Sequence, residues 1–291
     1  MAIAPVLPPG LHGLARAAFH YTFPQLAYQR LTSEDWREEE IEMDLLPALV
    51  DPQREAVDVG ANVGHYALRL SRLVRRVHAF EAHPRLAYVL RRCLPPNVLV
   101  RGEAVSDRIG TAVLTVPLFV RPVEGMASLS ADANRFATAR GLTRIRVPST
   151  TLDELAEHDI GFVKIDVEGH EAEVLKGAKQ LILRQRPTFL VEVEERHRPG
   201  SVHTLFESFS AQDYRGFFAC NAAILATEAF TVDMQNLHRI VAAAPRKSYD
   251  YVNNFIFQPR ERWSASWELR LRELLESARV VNTRAITATR Q

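Results

Sequence analysis

Cysteine is scarce. The 291-residue chain has two, Cys93 and Cys220, without metal-ligand spacing and without a neighbouring partner, which excludes a disulfide framework and favours a reduced, cytoplasmic protein. Excess charge of either sign is also missing. With 36 basic and 35 acidic side chains the net charge is +1, so no whole-molecule field draws in nucleic acid or an anionic membrane, and neither is expected as a partner. Long apolar runs are absent as well. Arg16 and His20 interrupt Leu11 to Phe23 before a signal core develops, and no segment approaches the ~20 apolar residues that span a bilayer. What remains is ordinary globular composition, 47% hydrophobic and 24% charged, in a chain long enough for one large α/β domain with an appendage or for two small domains.

The most informative stretch is Val57-Asp58-Val59-Gly60-Ala61-Asn62-Val63-Gly64, a buried strand running into a glycine turn and then a helix. In an α/β sheet that turn is where a nucleotide-like cofactor binds. A second apolar run, Val77-His78-Ala79-Phe80, delivers Glu81, 21 positions past Gly60, the distance at which an acid ending the second strand meets ribose hydroxyls. The dinucleotide fingerprint is incomplete. Its second and third small residues are replaced by Asn62 and His65, which crowd a pyrophosphate. Asp58 repels phosphate and favours an ammonium. S-adenosylmethionine, which has a ribose and an amino group but no phosphate, fits these substitutions. The plainer reading is a turn whose glycines only relieve strain.

Strand-like runs recur with helical segments between them: 55–59, 76–81, 98–105, 162–167 and 188–194, separated by helices expected at 63–73, 85–93 and 171–183. This alternation predicts a mostly parallel sheet with helices on both faces, and right-handed crossovers put Asp58, Glu81, Asp166 and Glu194 along one edge. Residues 1–50 read as a helical appendage, Pro-rich at first and then helical from Glu34 to about Leu49, with Thr32 and Asp35 as its cap and Trp36, Ile41, Leu45, Leu46 and Leu49 as a buried stripe. Thr111 to Val116 alternates like a strand. The stretch after it, with Gly125, Ser128, Ser130 and Asn134, reads as loop and short helix, an acceptor-side insertion near 117–147. Toward the end, 217–220, 224–226 and 251–258 are expected to pair antiparallel, with a final helix over 261–277. The expected division is an appendage over 1–50, a catalytic domain over 51–260 and a terminal helix and tail over 261–291.

Val57 to Gly64, Phe80-Glu81-Ala82-His83-Pro84, Ala104-Val105-Ser106-Asp107, Thr151-Leu152-Asp153-Glu154-Leu155, and Val163-Lys164-Ile165-Asp166-Val167-Glu168-Gly169-His170-Glu171 with Leu175-Lys176-Gly177-Ala178 resemble the ordered motifs of the FkbM family of methyltransferases. The resemblance covers pieces from about Glu55 to Pro259. It implies a Rossmann-like sheet of seven mostly parallel strands, the class I methyltransferase fold, with its last strand antiparallel. The implied cofactor is S-adenosylmethionine, and the implied reaction is O-methylation of a sugar, glycan or natural-product hydroxyl; the alternatives are N-methylation of another acceptor and a non-catalytic module that binds S-adenosylmethionine. Residues 1–50 and 117–147 lie outside the motifs.

The cofactor set is then Asp58, Gly60, Ala61, Asn62, Gly64 and Glu81, with Ser106 and Asp107 from the matched motifs. His65 and Tyr66 open the first helix, where they either border the methionine tail or join the core. Methyl transfer is an in-line displacement helped most by positioning, but an alcohol must also lose its proton. Asp166, ending a buried strand, is the first candidate base; it serves equally as a cap for the next helix. His170 titrates near neutrality and is a second candidate, though the first turn of a helix lowers its proton affinity. Glu168 suits hydrogen bonding to acceptor or loop. No residue set is assigned to a metal, although Glu192, Glu194 and His197 follow the next strand, and Asp166 with Glu194 offers oxygen ligands to a magnesium ion. Asn253 and Asn254 either face the pocket or serve a turn. Arg121, Arg196 and Arg198 either attract an acidic acceptor or are solvated loop residues.

Overall fold

The computed structural model describes residues 18–35, 40–118, 127–129, 141–220, 223–236 and 251–288. Trp36, Arg121, Gly125, Ser130 and Asn134 lie outside the described residues. Two helices, α1 (Pro24–Asp35) and α2 (Glu42–Leu49), lead into β1 (Glu55–Val59), α3 (His65–Leu70), β2 (Arg76–Phe80), α4 (Pro84–Cys93), β3 (Val98–Arg101) and β4 (Ala104–Val105). A hairpin of β5 (Gly110–Leu118) and β6 (Gly141–Thr150) precedes β7 (Ile160–Ile165), α5 (Glu171–Lys176), α6 (Lys179–Gln185), β8 (Thr188–Glu192) and α7 (Ser201–Ser210). The chain ends in β9 (Tyr214–Cys220), β10 (Ala223–Ala226), β11 (Asn254–Pro259) and α8 (Ala265–Ala288).

Period-two alternation decides which side of the sheet each strand residue joins. Val57, Val59, Val163, Ile165, Phe189 and Val191 point to one core, with Val174, Leu181, Leu205 and Phe209 from α5, α6 and α7. Their neighbours Ala56, Phe162, Leu190 and Ile256 point to the other, covered by Leu45 and Leu49 of α2, Leu70 of α3 and Leu271 and Leu275 of α8. Helices therefore lie on both faces, as expected.

The large sheet has the order β10-β9-β11-β8-β7-β1-β2-β3. β1, β2, β3, β7 and β8 pair in parallel, while β11 is antiparallel to both β8 and β9. The seven expected strands are present, with the last one reversed. An eighth, β10, adds to the edge as a hairpin on β9. Chain order turns back between β1 and β7, and an open α/β sheet offers its crevice at that switch point.

Several boundaries differ from the expectation. The run 98–105 is split at Gly102-Glu103 into β3 of the large sheet and β4 of a separate sheet ordered β4-β6-β5. Part of the insertion read as loop is strand β6, paired along its length with β5. Half of β6 is exposed, so its apolar signal is weak. The helix expected over 171–183 breaks after Lys176, at Gly177, where close packing requires glycine: a Cβ there would lie 2.2 Å from the Ser106 carbonyl oxygen. Thr32 is no cap: it lies inside α1, where its hydroxyl donates to the Tyr28 carbonyl at 2.9 Å. The final helix starts later and runs further than 261–277, and the N–H of Trp267 donates to Ser264 Oγ at 3.1 Å in its first turn. Among the described residues no helix is long and apolar enough to cross a membrane.

Candidate active site

The Gly60 turn is shaped by its neighbours. Gly60 has φ +82°, and a Cβ there would lie 1.8 Å from the Asp166 carbonyl oxygen, so both the left-handed backbone and the close approach of the β7 exit require glycine. The N–H groups of Gly60 and Ala61 donate to the Phe80 carbonyl at 3.0 and 2.9 Å, binding the turn to β2. Asn62 is left-handed too, with φ 49°, a conformation asparagine tolerates. Its backbone N–H donates to Glu81 Oε2 at 2.7 Å, and the N–H of His83 donates to Glu81 Oε1 at 2.6 Å. Two backbone donors thus fix the orientation of the Glu81 carboxylate at the end of β2. Gly64, at φ +85°, lets α4 close in, since a Cβ would sit 2.9 Å from Leu90 Cδ2.

A cleft opens at this edge. Its wall includes Gly60, Asn62, Glu81, Glu103, Asp166 and Glu168, with Leu114 and Leu129 over them from the second sheet and its following segment. Glu103 had no signal of its own in the sequence, because 98–105 read as one strand. It reaches the wall from the turn that splits that strand. Ser106, Asp107 and His170 gather behind the wall: Ser106 Oγ is 3.2 Å from Asp107 Oδ1 and 2.9 Å from His170 Nε2, and His170 Nδ1 lies 3.7 Å from Glu173. Burial lowers the proton affinity of His170.

Asp58 is buried at 2% exposure, and its Oδ2 has no hydrogen-bond partner. An orphaned carboxylate oxygen beneath the turn suits an ammonium group, which is the fit expected of S-adenosylmethionine. Burial raises the Asp58 carboxyl to about 6, against the pull of Lys164. Lys164 is directly opposite it in register and 1% exposed. Its Nζ donates to Asn254 Oδ1 at 3.1 Å, lies 3.7 Å from Glu192 Oε2 and sits 5.0 Å from the Tyr66 ring centre. Burial works against this ammonium, but Asp166, Glu40, Glu192 and Asp58 outweigh it and its pKa is raised. Glu40 accepts from Tyr66 Oη at 2.6 Å and from Asn254 Nδ2 at 3.1 Å, while Asn253 donates to Glu192 at 2.7 Å. Besides Glu103, the sequence reading misses Lys164 and Glu40. A lysine in an apolar strand was the available signal for the first, and Glu40 belongs to no motif.

Asp166 keeps some surface because it lines the cleft, yet burial still pushes its carboxyl up to about 7, with Lys164 opposing and Glu168 adding to the rise. It does not cap a helix, since α5 begins five residues later. The turn after it holds two left-handed residues in succession, Glu168 at φ 56° and Gly169 at 92°. Glu168 is pinned from two sides: its carbonyl accepts from Ser128 Oγ at 2.6 Å, and its carboxylate lies 3.2 Å from His197 Nε2. Strain of this kind, held by surrounding contacts, collects at functional sites.

The magnesium pair is not assembled. Arg196 grips both oxygens of Glu194 at 2.7 and 2.6 Å, and Tyr251 donates to it as well. Burial raises the Glu194 carboxyl, but those hydrogen bonds outweigh it and the pKa is lowered. Asp166, for its part, faces an ammonium. The donor set does not fit a cation between Asp166 and Glu194. Arg198 lies 3.6 Å from Glu173 and is largely exposed.

Residues 58–216 match the model of the methyltransferase FkbM domain, which is more than half of the chain. No curated protein matches. Among solved structures, the methyltransferase FkbM from Methylobacillus flagellatus KT is similar at 15% identity and a TM-score of 0.45, covering 87% of this chain and 56% of that one; the present chain thus spans just over half of that protein. An rRNA methylase from Streptococcus thermophilus is 11% identical, with a TM-score of 0.40 over 75% of this chain and 92% of its own. SMU.1697c of Streptococcus mutans, a putative methyltransferase in complex with SAH, is 12% identical, with a TM-score of 0.40 over 75% and 94%. The chain belongs to the FkbM methyltransferase family.

Proposed function

We propose that the enzyme methylates a hydroxyl of a sugar, glycan or natural product, with Asp166 accepting the hydroxyl proton. The observation that carries this reading is a carboxylate on the cleft wall whose pKa is raised to about 7, matched to proton transfer near neutrality. S-adenosylmethionine supplies the methyl group when bound. Asp58 would hold its ammonium, Glu81 its ribose and Glu103 the adenine amine, and the Gly60 turn would let backbone approach. Glu168 then orients the acceptor, steadied by His197 and Ser128. Ser106, Asp107 and His170 support the wall from behind. The insertion near 117–147 would carry acceptor recognition and the segments 1–50 and 261–291 would frame a catalytic domain over 51–260.

A balanced charge supports a small acceptor over nucleic acid, and the two free cysteines, Cys93 and Cys220, fit a reducing, cytoplasmic setting. Transfer to nitrogen is the second reading. Against it stands the turn after β7, Asp166-Val167-Glu168-Gly169, which has no aromatic ring to stack on a base.

Calorimetric titration with S-adenosylmethionine, with NAD as control, tests the cofactor roles. Asp58→Asn and Glu81→Gln are expected to weaken binding about tenfold or more, the loss of one charged hydrogen bond. Asp166→Asn is expected to bind within a few-fold of wild type yet lose roughly a hundredfold or more in kcat on a hydroxyl acceptor found by screening sugars, glycosides, amines and an RNA oligonucleotide. Turnover on the amine or RNA alone, or wild-type cofactor affinity in both pocket variants, would overturn the assignment.

A further inference from the structure

The opposite end of the sheet carries a second set of ionisable side chains. Glu55 opens β1 and His78 lies on β2, two positions along from the residue that pairs with Glu55, so both side chains project from one face. Glu55 is 4% exposed and His78 fully buried. His158, on the turn before β7, completes the group from a third segment. Glu55 Oε2 is 2.8 Å from His78 Nε2 and 3.2 Å from His158 Nδ1, and the imidazole rings meet edge-on at 4.9 Å and 78°. One ligand atom from each residue lies within 4.8 Å of the others. Methyl transfer has no use for them: the cofactor edge is four residues away along β1, roughly 13 Å at the strand rise.

Two imidazole nitrogens and one carboxylate oxygen form a donor set for zinc-class divalent ions, in contrast to the all-oxygen sets of magnesium and calcium. Tetrahedral bonds of 2.0–2.1 Å to zinc separate neighbouring ligand atoms by about 3.3 Å, so the two contacts to Glu55 need only small expansion. Arg75 and Arg76 hold the other oxygen, Oε1, at 3.3 and 3.4 Å, which orients the carboxylate and leaves Oε2 to the imidazoles. A surface cleft beside Glu55, flanked by these arginines, gives the ion an entry path and an open fourth position. The guanidiniums oppose a cation, so the site is weaker than a closed structural zinc centre.

We propose that Glu55, His78 and His158 form a binding site for a zinc-class divalent ion, clamping β1, β2 and the turn before β7. On binding, each imidazole presents a nitrogen lone pair to the ion, and any proton on that nitrogen passes to solvent; no electron is transferred.

The test uses the full chain after chelator treatment. Titration with cobalt(II), followed by visible absorption, and with zinc, followed by calorimetry, is expected to show saturable uptake of one ion per chain, and zinc is expected to raise the Tm. His158→Ala changes the most exposed of the three ligands and is expected to fold, to lose roughly tenfold or more in affinity and to lose the Tm shift; Glu55→Gln supplies a second ligand variant. Asp166→Asn is expected to bind the ion as wild type does, which separates this site from the cleft. Absence of saturable uptake, or equal uptake by wild type and His158→Ala, would overturn the proposal and leave a hydrogen-bonded cluster only. These readouts do not involve methyl transfer.

Discussion

Lys164 is the residue on which the buried charges of the cleft depend. It stands in an interior strand at 1% exposure, with Asp58, Glu192 and Asp166 as its electrostatic partners. Removing the cation from such a group leaves buried carboxylates uncompensated, which costs about 3–5 kcal/mol. Lys164→Met is therefore expected to lower unfolding stability by about that amount, measured by urea denaturation, even though methionine matches the lysine stem in size. Asp166 sets the pH dependence. Its folded pKa, about 7, lies above the ordinary aspartate value of ~3.9. Below the lower value both folded and unfolded chains hold the proton and stability is unaffected. As pH rises between the two, the unfolded chain releases its proton first, so the residue costs stability increasingly up to about pH 7 and constantly above. Activity runs the other way. kcat/KM is expected to rise through about pH 7 to a plateau, and Asp166→Asn is expected to remove that limb. Cofactor affinity is expected to fall as pH drops below about 6, where Asp58 takes up a proton.

At the scale of elements, the turn between β1 and α3 is the least tolerant joint. Gly60→Ala would place a methyl 1.8 Å from the Asp166 carbonyl in a left-handed conformation, forcing β1 and β7 apart where they meet. Strain and lost pairing together predict a loss of about 2 kcal/mol or more, read by thermal unfolding, with cofactor affinity lost alongside. This turn was legible in the sequence because glycine spacing and an acid 21 positions on are local signals. So was the strand ladder, since buried parallel strands read as apolar runs. Other elements were hidden for physical reasons. α7 places Val202, Leu205 and Phe209 on one buried face, but its Thr204, Phe206 and Phe209 are poor helix formers, which masks the period. β6 buries little and its partner is more than twenty residues away in sequence. The Ser106–His170 contact joins residues 64 positions apart. Proximity of that kind is set by how β4 and the α5 turn pack, and no local pattern announces it. Asp166 and Glu168 stand at the polar end of their block and so read as candidates, whereas Lys164 inside the same block reads as one more strand residue.

For the whole molecule, the two faces of the sheet are closed by different means. One is covered by α5, α6 and α7, each next to the strands it packs on. The other is shared by α2, near the beginning of the described chain, and α8, at its end: Leu45, Leu271 and Leu275 meet in one cluster, and the Trp267 indole donates to the Ala48 carbonyl at 2.7 Å. Leu271 is fully buried, so Leu271→Ala is expected to cost about 2–5 kcal/mol through the cavity it leaves, seen as a lower Tm. Deletion of α8 is expected to leave the protein insoluble.

That late closure has a consequence for how the protein is made. Phe162, Leu190 and Ile256 lie on the face that α8 helps to cover, so a ribosome releases all three strands before their lid exists. Contacts between α2 and α8 span more than 200 residues, a long loop to close. During synthesis this apolar surface is a sticky intermediate, exposed to chaperones and to other nascent chains. Yield at high expression rates should therefore depend on the supply of chaperones, and on how quickly α8 follows β11 out of the ribosome.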